Sequence, residues 1–309
     1  MLRASLLYLS HSKSARGLIT RFPVARAVSS RFVAGETVGD VIRVIRELAA
    51  RGLMSTADHL GENVATEADA ARAADDYLRL LDQIAAAGVK SHVSLKLTQF
   101  GLDLGDAVAF GHLRRVLERA QAMGTFVRVD MEGTEYTDRT LALVRAARAA
   151  GYDNLGTVIQ SYLYRSEADI AALIDEGVRV RLCKGAYKEP PDKAFPAKTD
   201  VDANYVKLTG ALLKAARHTP AIYPAIATHD EKMIAAAKDF AAANQIPPAS
   251  FEFQMLYGIR RDLQEALVAQ GYNVRVYVPY GTEWYPYFMR RLAERPANLW
   301  FFVSNFFKR

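Results

Sequence analysis

Eight times along this chain a short β-branched and apolar run is followed by a longer stretch with helical apolar spacing. The strand-like runs are Leu53–His59, His92–Leu97, Phe126–Met131, Leu155–Ser161, Val178–Cys183, Ile222–Thr228, Phe251–Leu256 and Asn273–Val278. The helical stretches that follow are Glu67–Ala87, Ala107–Ala122, Asp138–Ala150, Glu167–Asp175, Val201–Arg217, Glu231–Ala243, Arg260–Gln270 and Trp284–Glu294. Regular alternation of this kind calls for parallel strands, because each helix must carry the chain back before the next strand begins. Eight such units close a (βα)8 barrel, and 309 residues suffice for one. A doubly wound open sheet is the competing architecture. It wants a glycine-rich phosphate loop after its first strand, and no GxGxxG occurs here. The chain accordingly divides into an N-terminal helical segment (1–52, with apolar helical spacing at Val41, Ile42, Val44, Ile45 and Leu48), the barrel (53–296) and a tail (297–309).

Chemistry in such a barrel belongs at the C-terminal ends of its strands. The fifth run is the most suggestive, because VRVRLC puts Arg179, Arg181 and Cys183 on one face and continues into Lys184-Gly185-Ala186. Buried arginines are costly unless they meet carboxylates or an anionic ligand, and small residues let a ligand approach the backbone. The other strands end at Lys96, Asp130, Gln160, Thr228-His229, Gln254 with Leu256, and Tyr277. Two residues earlier on the same inward faces stand Ser94, Arg128, Arg179 and Arg275, a layer expected to be structural and to need acids, of which Glu252 is the evident one. On the last helix Tyr287, Arg290, Arg291 and Glu294 share one face. Adjacent arginines suit two-pronged capture of a small carboxylate. An exposed basic helix with internal Glu–Arg pairs would look the same in isolation.

Net charge is +6, but acids and bases alternate along most of the chain, which describes a solvated surface rather than a nucleic-acid groove. A single cysteine, Cys183, excludes internal disulfides and fits a reducing compartment. Residues 1–35 hold no acid and six Lys or Arg (Arg3, Lys13, Arg16, Arg21, Arg26, Arg31). They read as an organellar transit segment or as a basic amphipathic helix, and the Ala/Arg-rich style of the whole chain favours the second. The aromatic and basic tail Leu299–Arg309 reads either as cover for the barrel or as an interfacial membrane contact, Trp300 and Phe301 leaning to the first and Phe306–Arg309 to the second.

Taken together, SLKL around Lys96, RVDMEG around Asp130, VIQSYLYR around Gln160, RLCKGAYKE from Arg181, ATHD around His229, FEFQMLYG and the YFMRRLAE helix resemble the proline dehydrogenase family. The resemblance runs from about Leu53 to Glu294 and is of the monofunctional bacterial type. It implies a distorted TIM-type barrel with extra N-terminal helices and a final helix over the barrel mouth. It also implies noncovalent FAD, oxidation of L-proline to Δ1-pyrroline-5-carboxylate, and electron transfer to a membrane quinone. Asp130 and Arg181 would be catalytic, Asp130 lying near both flavin and substrate. Lys96, Leu256, Tyr277, Tyr287, Arg290, Arg291 and Glu294 would bind proline. Met131, Gln160, Arg181, Lys184, Gly185, Ala186, Tyr187, Thr228 and His229 would hold the flavin; no metal is implied. Glu62, after the first strand, is expected to pair with one of the two lid arginines, which repel one another. The protein would be cytoplasmic, with peripheral contact at the inner membrane face as an option. It would act with a separate pyrroline-5-carboxylate dehydrogenase. A Schiff-base aldolase using Lys96, or a barrel that only binds an anion, are the alternatives from other classes.

Overall fold

The structure, a computed structural model, describes residues 29–294, with side chains through residue 289. In chain order its elements are α1 (Val38–Ala49), β1 (Met54–His59), α2 (Glu67–Ala86), β2 (His92–Leu95), α3 (Asp106–Ala122) and β3 (Val127–Val129). Then come α4 (Thr134–Ala149), β4 (Leu155–Gln160), α5 (Ser166–Asp175), β5 (Arg179–Cys183), α6 (Lys198–His218) and β6 (Ala225–Ala227). The last are α7 (Glu231–Ala243), a 3-10 turn (Pro248–Ser250), β7 (Glu252–Leu256), α8 (Arg261–Ala269), β8 (Asn273–Tyr280) and α9 (Trp284–Glu294). The strands close in order from β1 to β8, every neighbouring pair parallel. The eight-unit barrel expected from the alternation is the fold found.

Local chemistry explains the boundaries. Thr37 opens α1 in a reciprocal capping box with Asp40, and Thr66 caps α2 by accepting from the Asp69 amide. α1 buries Val41, Val44, Ile45 and Leu48 and packs on β1 and β8. α2 sends Tyr77, Leu80, Leu81 and Ile84 inward. Helix α4 begins at Thr134, four residues ahead of its expected Asp138, directly after Gly133. Strand β6 spans only Ala225–Ala227 rather than Ile222–Thr228. Pro224 has no N–H to give a ladder, although its carbonyl still accepts from the Glu252 amide at 3.0 Å.

The expected arginine layer needs correction. Among the described residues only Arg275 meets an acid there: its Nε donates to Glu252 at 2.9 Å. Arg128 is buried, donates to the carbonyls of Thr157 and Arg179, and lies 4.9 Å from the Phe126 ring centre. Arg179 is half-buried at the start of β5, donates to the Ala221 carbonyl and also lies over the Phe126 ring, 5.4 Å from its centre. Gly156 makes this possible, since a Cβ there would stand 2.3 Å from the Arg179 carbonyl and 2.7 Å from Arg128 Nη1. Carbonyls and a ring face therefore replace the expected carboxylates.

At the opposite end a second apolar cluster joins Phe32 and Val33 to Leu60, Ile259, Trp284, Tyr285, Tyr287, Phe288 and Met289, with Leu256 against it. The segment before α1 runs along the end of β8, where the Ala34 amide donates to Pro279 and Gly281 donates to Gly35. It thus clamps the first turns of α9 onto the loops after β1 and β7. Gly258 sits under this clamp with φ +74°, and a Cβ there would lie 1.6 Å from the Arg31 carbonyl oxygen. That oxygen is main chain and cannot swing aside. Gly258→Ala should therefore cost about 1–3 kcal/mol from the backbone conformation alone, and more from the overlap. Its thermal unfolding midpoint should fall; an unchanged midpoint would show that the clamp is not seated there.

Candidate active site

The C-terminal half of the barrel interior holds one continuous polar network. Asp130, just beyond β3, is its centre. Its Oδ1 accepts from Ser94 Oγ at 2.6 Å and from Arg181 Nη1 at 2.7 Å, and its Oδ2 accepts from Tyr277 Oη at 3.0 Å. Lys96 Nζ stands 3.9 Å from that Oδ2 and 3.5 Å from Asp58 Oδ1. Arg181 Nε donates to Gln254, whose amide donates to Glu252, which closes on Arg275. The Arg181 guanidinium also lies 5.3 Å from the centre of the Tyr277 ring. Tyr77, fully buried on α2, donates to the Ser94 carbonyl at 2.7 Å and accepts from the His59 amide at 3.2 Å.

Charge matching sets the protonation states. Burial works to lower the Lys96 pKa, but the carboxylates of Asp58 and Asp130 overcome it and hold the ammonium above the ordinary lysine range. A Schiff-base lysine needs the reverse, a depressed pKa. Burial, with the carboxylates of Asp130 and Asp58 nearby, keeps the Tyr277 phenol protonated and available as a donor. Burial pushes the Cys183 thiol up to about 12, so this cysteine is a packed residue and no nucleophile.

The rim residues beyond strands β4 to β7 form a second group. Gln160 ends β4, is buried, and donates to the Glu132 carbonyl at 2.8 Å. Met131 is buried beside Asp130 in sequence, and Thr228 is buried at the end of β6, its Oγ1 accepting from the Asp230 amide. His229 Nε2 accepts from the Leu256 amide at 2.9 Å, which places the proton of a neutral ring on Nδ1. Lys184 is held between Asp202 at 2.5 Å and Asp230 at 2.7 Å. Gly185 has φ +117°, and a Cβ there would meet the Tyr162 ring at 2.5 Å. Tyr162 is fixed in turn by donating to Glu189, whose other oxygen accepts from Thr134 Oγ1. Ala186 is exposed and Tyr187 half-buried on the loop after β5. Arg181 Nη2 is buried and has no hydrogen-bond partner among the described residues.

Tyr287 is buried on α9, and Leu256 packs against the cluster that α9 builds. Glu62 is half-buried on the loop after β1, next to Leu60 of that same cluster. The backbone of α9 carries Arg290, Arg291 and Glu294, whose side chains lie outside the described residues, as do the tail Leu299–Arg309 and the basic segment before residue 29.

Four residues of these networks escaped the sequence reading. Asp58 faces inward in register with Ser94, so strand parity carried the signal, but the rim was read from the second strand onward. Tyr77 reads as one more apolar helix position. Glu132 and its partner Thr98 stand in connections after strands, where no period marks a face.

Burial pushes the Glu132 carboxyl up to about 7, against the hydrogen bonds from Thr98 and the charge of Lys96, with Glu62 adding to the rise. The unfolded chain releases this proton near 4.5, so the folded state binds more protons between the two values. The stability that protonated Glu132 contributes is full below about 4.5 and is lost as pH rises through about 7. Thermal midpoints measured across this range should therefore decline less steeply in Glu132→Gln than in the unaltered protein. Parallel curves would show that Glu132 is ionised throughout.

The comparisons with known proteins agree with this geometry. The family model described as "Proline dehydrogenase" matches residues 41–303. The chain is 42% identical over its whole length to "Proline dehydrogenase 1" of Bacillus subtilis, covering all of that protein. It is 43% identical to "Proline dehydrogenase" of Deinococcus radiodurans, over 91% of this chain and 90% of the relative. Among solved structures, proline utilization A (PutA) from Bdellovibrio bacteriovorus inactivated by N-propargylglycine superposes with a TM-score of 0.81 at 27% identity, over 87% of this chain and 33% of that longer one. The barrel, its charged strand ends and these likenesses place the chain in the proline dehydrogenase family.

Proposed function

We propose that this oxidoreductase, whose family oxidises proline in proline catabolism, uses noncovalent FAD at the C-terminal rim and delivers the electrons to a membrane quinone. The observation that carries the reading is the Asp130 cluster, with Lys96, Arg181 and Tyr277 converging on one carboxylate at the mouth of the barrel. The residues present fit a flavin. Arg181 keeps a buried Nη2 donor without a protein partner among the described residues, and the Gly185 turn leaves the backbone open where a side chain would not fit. Gln160, Lys184, Ala186, Tyr187, Met131, Thr228 and His229 would complete the holding set.

Bound FAD supplies a two-electron acceptor for the hydride that leaves the proline ring carbon next to nitrogen. The chain's own part is positioning and charge. Arg290 and Arg291 bind the carboxylate, with Tyr287 and Glu294 on the same helical face. Leu256 and the Tyr277 ring hold the pyrrolidine and exclude water. Lys96, kept cationic by Asp58 and Asp130, orients substrate and cannot take up its proton. The cations Lys96 and Arg181 disfavour a protonated amine beside them, so proline would give its ammonium proton to solvent on binding, and the iminium left by hydride departure would give its N–H proton to solvent as the product leaves. Arg181 also stabilises negative charge that develops on the cofactor side. Glu62 pairs with a lid arginine and closes the mouth. The product passes to a separate pyrroline-5-carboxylate dehydrogenase.

The aldolase reading fails on the raised Lys96 pKa, and a barrel that only binds an anion would not need the buried rim donors. Purified protein should be yellow, and L-proline added without oxygen should bleach the visible band. A colourless protein, or a band that proline leaves intact, would overturn the proposal. Lys96→Ala and Asp130→Ala should keep the flavin and lose most turnover. Arg291→Ala should weaken proline binding by ~2–4 kcal/mol, the usual loss when one member of a desolvated charge pair is deleted. An unchanged Michaelis constant in that variant would remove the carboxylate role.

No helix among the described residues is long and apolar enough to cross a membrane. Peripheral contact through the tail would bring the protein to its quinone. Flotation with anionic liposomes should then recover more of the full chain than of a version ending at Asn305. Equal recovery would take the tail out of electron delivery.

A further inference from the structure

The loop after β1 is fixed from below by the loop after β2, and that loop is fixed in turn by Glu132. The two carboxylate oxygens of Glu132 accept from Thr98, one from its amide at 3.2 Å and one from its Oγ1 at 2.5 Å. The same Thr98 Oγ1 accepts from the Asn63 amide at 3.3 Å, and the Thr98 carbonyl accepts from the Val64 amide at 3.3 Å. Next to it, Gln99 donates its side-chain amide to the His59 carbonyl at 3.1 Å, and a Cβ on Gly61 would lie 2.6 Å from that amide nitrogen. The gripped segment therefore runs from His59 to Val64, and Glu62 is in its middle.

Two features bear on how firmly this grip sets the loop. Asn63 has φ +53°, a left-handed turn that asparagine accommodates better than other non-glycine residues and that reverses the chain next to Glu62. Glu132 and Thr98 are both buried, so their hydrogen bonds act away from water and cannot be replaced by it. Leu60, at the front of the segment, packs in the cluster that seats α9. Rotation of the Asn63–Glu62 peptide would thus move a carboxylate relative to the helix that carries Arg290 and Arg291.

We propose that Glu132 is a positioning residue for the mouth of the barrel: through Thr98 it sets the backbone at Asn63 and so the presentation of Glu62 toward α9. The inference rests on the gate role given to Glu62 above. It separates two tasks that meet at one residue. The main-chain carbonyl of Glu132 steadies Gln160 on the flavin side, whereas its side chain steadies the substrate entrance. A side-chain change at Glu132 should therefore alter proline capture and leave flavin retention alone.

Assayed well above pH 7, where the native carboxyl is ionised, Glu132→Gln keeps the shape and the main-chain carbonyl but leaves one of the two Thr98 donors facing an N–H₂ instead of an oxygen. We expect its Michaelis constant for proline to rise about five- to tenfold, the equivalent of one buried hydrogen bond, with turnover at saturation and visible flavin content held. Thr98→Val should copy this effect and Thr98→Ser should not, which guards against a fold defect in any one variant. The decisive measurement is the cycle with Glu62→Ala. In that background Glu132→Gln should raise the Michaelis constant no further, because the residue it positions is gone. Full additivity in the cycle, or loss of flavin in Glu132→Gln, would overturn the inference while leaving the gate role intact. If Glu62→Ala alone left the Michaelis constant unchanged, the gate role would fall and the inference with it.

Discussion

Charge pairing at the strand ends of the barrel is the constraint on which the rest of this structure depends. There three cations, Lys96, Arg181 and Arg275, face three carboxylates, Asp58, Asp130 and Glu252, all of them largely buried, while the buried Arg128 is met by carbonyls instead. Removing one member of such a set strands its partner, at a cost of about 3–5 kcal/mol, comparable to much of a domain's net stability. The strands β1, β2, β3, β5, β7 and β8 are therefore tied to one another through side chains as well as through their ladders. Polar pairing is also directional. A hydrophobic layer would tolerate small rotations between strands, whereas Arg181 must reach Asp130 and Gln254 at once.

How far this could be read from the sequence follows from what strand alternation encodes. Parity tells which face a side chain takes, and it correctly turned Lys96, Asp130, Arg181, Gln254 and Tyr277 inward. Depth along the barrel axis is another matter. It depends on the stagger between neighbouring strands, which no single strand carries. Arg179 has the parity of Arg181 yet pairs in register with Gly156 near the floor, where carbonyls and Phe126 receive it. Parity alone would have turned Asp58 inward, but that it is the partner of Lys96 follows only once β1 and β2 are set in register.

Helix α9 shows the complementary case. Its helical spacing was plain in the sequence, as was the pairing of Arg290 with Arg291. What seats it was not, because Phe32, Leu60 and Ile259 come from three distant connections with no shared period. The turn at Gly258 that receives the chain before α1 likewise looks like any other glycine until the Arg31 carbonyl is placed against it. Lids over barrel mouths are built from such connections, so their anchoring is a tertiary property even when the helix itself is obvious.

A network that satisfied every one of its members would be a good support and an inert one. Within the Asp130 cluster nearly every hydrogen-bonding atom is matched, but Arg181 Nη2 and Asp58 Oδ2 remain buried without a partner among the described residues. One is a donor on a cation and the other an acceptor on an anion, and each belongs to a group whose remaining atoms are held fast. Leaving such atoms unmatched costs roughly 1–3 kcal/mol apiece. That cost is tolerated where a ligand can recover it. Of the two, the Arg181 donor stands beside Asp130 and the Asp58 acceptor beside Lys96, where the network would meet the proposed ligands.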